Sequence, residues 1–81
     1  MWSNEQLNDA IQVLLSGSEN GNIQRVEDTV KNKEEKECYL VVGDVTYTDP
    51  LYLKALESLI QDGKFKKTDS ADGRETFQRA S

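Results

Sequence analysis

Residues 49–65 read Asp49-Pro50-Leu51-Tyr52-Leu53-Lys54-Ala55-Leu56-Glu57-Ser58-Leu59-Ile60-Gln61-Asp62-Gly63-Lys64-Phe65, and this stretch decides the fold. Tyr52, Ala55, Leu56, Leu59 and Ile60 recur at i, i+3, i+4, i+7 and i+8, one stripe along an α-helix. Leu51 and Leu53 flank the stripe. Asp49 is placed to cap the helix, with Thr48 its rival, and Pro50 at the first helical position loses nothing because its N–H would be unpaired there. Gly63 supplies the left-handed residue that ends the helix. A helix with one apolar face needs a second layer to bury it.

Strands on both sides of the helix offer that layer. Downstream, Lys64–Thr68 and Arg74–Gln78 read as two strands, each anchored by one phenylalanine, Phe65 and Phe77. Between them Asp69-Ser70-Ala71-Asp72-Gly73 is turn chemistry, with Asp72-Gly73 the tight turn. Upstream, Cys38-Tyr39-Leu40-Val41-Val42 is nearly continuous in apolar residues, which predicts a strand covered on both faces and a buried Cys38. After Gly43-Asp44, Val45-Thr46-Tyr47 either resumes that strand past a bulge or forms a short partner. Asn22–Thr29 reads as a strand by residue type, although Ile23, Val26 and Val30 also suit helical spacing. Lys31–Glu37 balances three lysines against three glutamates and reads as a solvated hairpin loop or a short exposed helical turn.

At the other end, Leu7, Ala10, Ile11, Leu14 and Leu15 form a second helical stripe. Ser3 and Gln6 make a capping box at its start, Trp2 can staple onto Leu7, and Ser16-Gly17 closes it. The predicted order is αββαββ: an α+β domain with two helices packed on a small antiparallel sheet. It occupies residues 1–81 as a single domain, whether a whole small protein or a module of a longer one.

The chain has 81 residues, 36% of them hydrophobic and 31% charged, with a net charge of −5. A domain of this size buries only about 60% of its unfolded surface. No apolar run approaches the roughly 20 residues that span a bilayer. One cysteine, Cys38, allows neither an internal disulfide nor a multi-thiolate metal site. Histidine is absent, so the commonest general base and metal ligand are missing, and only Lys36 is near enough in sequence to activate the thiol. Asp69, Asp72 and Glu75 fail the calcium-loop spacing, since Ala71 and Gly73 would occupy ligand positions. Gly17, Gly21 and Gly43 match neither phosphate-cradling pattern. The expectation is a non-enzyme with no cofactor and no metal. A start without a basic-then-apolar leader, together with an unpaired thiol, points to the cytoplasm.

Ala55-Leu56-Glu57-Ser58-Leu59-Ile60-Gln61-Asp62-Gly63-Lys64-Phe65 resembles the recognition-helix end of winged-helix domains, where a wing hairpin closes on an aromatic, here Phe77. The whole chain is similar to a small winged-helix-like module found near the ends of longer bacterial proteins, some implicated in phage exclusion, in which a hairpin replaces the middle helix. The resemblance implies a recognition module that contacts a protein partner or another domain of its parent chain. The alternative it implies is a DNA-binding regulator whose wing, with Lys64, Lys66, Lys67 and Arg74, touches phosphate, helped by Lys54 on the helix. Charge argues against that alternative. Residues 1–50 carry four basic and ten acidic groups and residues 51–81 six and five, while affinity for nucleic acid rests on neutralising phosphates.

Overall fold

A computed structural model describes residues 2–19, 21–29 and 36–80. Seven elements follow one another: α1 (Asn4–Gly17), β1 (Ile23–Thr29), β2 (Lys36–Val42), β3 (Val45–Tyr47), α2 (Pro50–Gln61), β4 (Phe65–Ala71) and β5 (Arg74–Arg79). Both helices start as their sequences dictate. Ser3 accepts from the Gln6 N–H at 3.1 Å while the Gln6 side chain accepts from the Ser3 N–H at 2.9 Å, a complete capping box. Asp49, rather than Thr48, caps α2 by accepting from Leu51 N–H at 3.0 Å, and Pro50 follows it. Gly63 takes φ +75° just beyond the helix end.

All five strands join one antiparallel sheet in the order β3-β2-β1-β5-β4. The α+β architecture of two helices on one antiparallel sheet is therefore as expected. Val45–Tyr47 is the short partner strand: Val42 pairs with Val45 across a two-residue turn whose Gly43 has φ +63°. The β4–β5 hairpin closes on Asp72-Gly73, but Asp69–Ala71 extend β4 instead of belonging to the turn. A bulge at Thr68 lets them do so, because the register shifts between Lys67 and Asp69. The expected charged loop over Lys31–Glu37 lies outside the described residues as far as residue 35. Lys36 and Glu37 already belong to β2.

The core is a single layer between the helices and one sheet face. Leu14 and Ala10 of α1 meet Ala55, Leu56 and Leu59 of α2, and below them lie Ile23, Leu40, Val42, Phe65 and Phe77. Gly17 lets the end of α1 settle on β2, since a Cβ there would stand 2.9 Å from Val42 Cγ1. The guanidinium of Arg79 donates to the Leu15 carbonyl and ties the last strand to the same helix end. Two expectations for β2 need correction. Among the described residues no helix covers its opposite face, so Tyr39 and Val41 are only half-buried, and Cys38, on the helix-facing side two residues before Leu40, is exposed. An apolar run marks burial without saying how many faces are covered, and here α2 rises from Asp49 too early to shelter Cys38.

Gly73 carries the tightest backbone constraint. It has φ +74°, its carbonyl accepts from Glu27 N–H at 2.8 Å, and a Cβ would lie 2.9 Å from the Glu27 carbonyl oxygen. Gly43 has the same handedness but open space around it. In urea unfolding, Gly43→Ala is expected to cost about 1 kcal/mol for the left-handed backbone alone. Gly73→Ala should cost about 2–4 kcal/mol, because relieving the clash breaks the β1–β5 bond as well. Equal costs would show that the close approach is not tight.

Candidate interaction groove

Buried side chains occupy only one end of the helix-facing side of the sheet. Cross-strand partners share a face, and successive residues alternate. Ile23 pairs with Val42 on one side and Phe77 on the other, so two residues along, Arg25 sits between Leu40 and Glu75 on the same face. Glu27 and Cys38 follow as the next pair. At this end the sheet runs on past the helices, and a groove of about 460 Å³ opens there. Leu53 and Glu57 of α2 form one wall, and Arg25, Cys38 and Glu75 form the floor.

The floor is wired by charge. Arg25 Nε donates to Glu75 Oε1 at 2.8 Å, and an Nη of the same guanidinium reaches the same oxygen. Lys67 Nζ lies 3.4 Å from the other carboxylate oxygen. Arg25 also lies over the Phe77 ring, 5.6 Å from its centroid, so the guanidinium joins the charged floor to the apolar core. The hydrogen bond from Arg25 holds the Glu75 carboxyl below its ordinary range, against the opposing pull of partial burial; Lys67 adds to the lowering. Glu75 thus clamps β1, β5 and β4 together as a fixed anion. On the other sheet face, Tyr39 Oη donates to Asp28 Oδ2 at 2.8 Å, and that bond raises the phenol's pKa by favouring its protonated form. Val26, opposite both Tyr39 and Arg74, is buried on that face.

The residues expected to make contacts are scattered. Lys66 and Lys67 are neighbours in β4 and point to opposite faces, with Lys67 drawn to Glu75. Lys54 is exposed on α2, 3.8 Å from Glu57. Lys64 stands at the α2–β4 joint, where its N–H donates to the Leu59 carbonyl and its own carbonyl accepts from Ala80. Arg74 alone among the five lines the groove. Sequence reading missed Arg25, Glu75 and Cys38 as groove residues. The signal was present but conditional: Arg25 lies two after Ile23 and Glu75 two before Phe77, opposite charges that meet once those two anchors pair.

Among the described residues, no group of three or more Cys, Asp or Glu side chains is placed to hold a metal ion, and no helix is long and apolar enough to cross a membrane. No protein-family model, curated protein or solved structure matches the chain.

A carboxyl whose folded pKa lies below its ordinary value stabilises the fold above the ordinary value and loses that contribution as pH falls through the folded one. Glu75→Gln is therefore expected to cost about 1 kcal/mol at pH 7, a modest figure because the side chains are 35% and 26% exposed. The gap to wild type should shrink as the pH is taken below 4.5. Urea unfolding at pH 7 and pH 3 measures it, and a gap that grows toward acid would contradict the clamp.

Proposed function

We propose that this chain is a non-catalytic, winged-helix-like interaction module that docks on another protein or on a neighbouring domain of its parent chain. The observation that carries this reading is the dispersal of its basic residues. A phosphate-binding wing needs its cations on one surface, since each neutralised phosphate adds to affinity through released counterions. Lys66 and Lys67 face opposite ways, and Lys67 and Lys54 stand beside carboxylates. The exposed face of α2 adds Glu57 and Gln61, Asp62 follows at its end, and the whole chain is at −5. The groove between α2 and the sheet end combines an apolar wall residue, Leu53, with fixed charges. That mixture suits the side chains of a protein partner better than a polyanion.

DNA binding through Lys64, Lys66, Lys67 and Arg74 is the rival reading, and salt separates the two. In fluorescence anisotropy with a mixed-sequence duplex at 50 mM salt, the module is expected to show no saturable binding below about 100 μM. Micromolar binding that weakens steeply with salt, and that disappears in the Lys66→Glu/Lys67→Glu double variant, would replace the protein-docking reading with the nucleic-acid one.

A further inference from the structure

We draw no further inference here: the strongest candidate, the groove beside α2 at the end of the sheet, belongs to the site already described, and with Glu75 paired to Arg25 and Lys67 and Glu57 beside Lys54 nothing in the structure shows what covers it.

Discussion

The pairing of β1 with β5 through Ile23 and Phe77 makes one sheet out of two hairpins, and every other feature depends on it. Without it, β1–β2–β3 and β4–β5 are separate ribbons, and the two-stranded β4–β5 hairpin alone is marginal in water. With it, two fully buried side chains sit side by side under the helices, and the stripes of α1 and α2 have a floor to cover. The same register sets Arg25 against Glu75 one step further on and brings the Gly73 turn against the Glu27 backbone. Core, clamp and turn are consequences of a single alignment, which a one-residue slip would reverse by sending Phe77 to the opposite face.

Two short helices cannot cover a five-stranded sheet, and the shortfall is placed at one end. α2 spans 12 residues, about 18 Å at the helical rise. Beyond its reach the helix-facing strand positions change from Ile23, Leu40 and Phe77 to Arg25, Cys38 and Glu75. That change keeps an uncovered sheet surface from becoming an apolar patch. It also leaves the groove, bordered on one side by Leu53 and Glu57 of α2. The Arg25–Glu75–Lys67 cluster keeps that floor rigid through fixed charge rather than packing, and Phe77 beneath Arg25 joins the two regimes.

Local order was legible in the sequence to a large degree, and long-range order was not. Both helices, their caps and the Asp72-Gly73 turn follow from spacing and capping chemistry within a few residues. Asp69, Ser70 and Ala71 are turn residues by type, so their neighbourhood predicts a wider turn than the fold has. In β4 they are held extended by cross-strand partners and a bulge that no local rule announces. The apolar neighbours of Cys38 predict burial, yet it is exposed. Its exposure depends on where β3 stops and α2 begins, a tertiary fact. Arg25 and Glu75 lie 50 positions apart, and nothing in either neighbourhood marks them as partners until Ile23 and Phe77 are aligned.

The two sheet edges differ for a reason that follows from chain path. β4 is reached from α2 through Gly63 and must run the length of β5, so its outer side is long and exposed, and the sequence fills it with charge and a bulge. On the other side the chain spends only three residues on β3 before it is drawn off to start α2, because Asp49 and Pro50 impose a helix start there. A longer β3 would pair the rest of β2 but would move α2 along the sheet and take Leu56 and Leu59 off Leu40 and Phe65. The position of the core therefore fixes the length of β3, which among the described residues pairs only with Leu40, Val41 and Val42 of β2. Among the described residues, the stretch of β2 at Cys38 has no strand on its outer side, the geometric remainder of burying two leucine stripes on so short a chain.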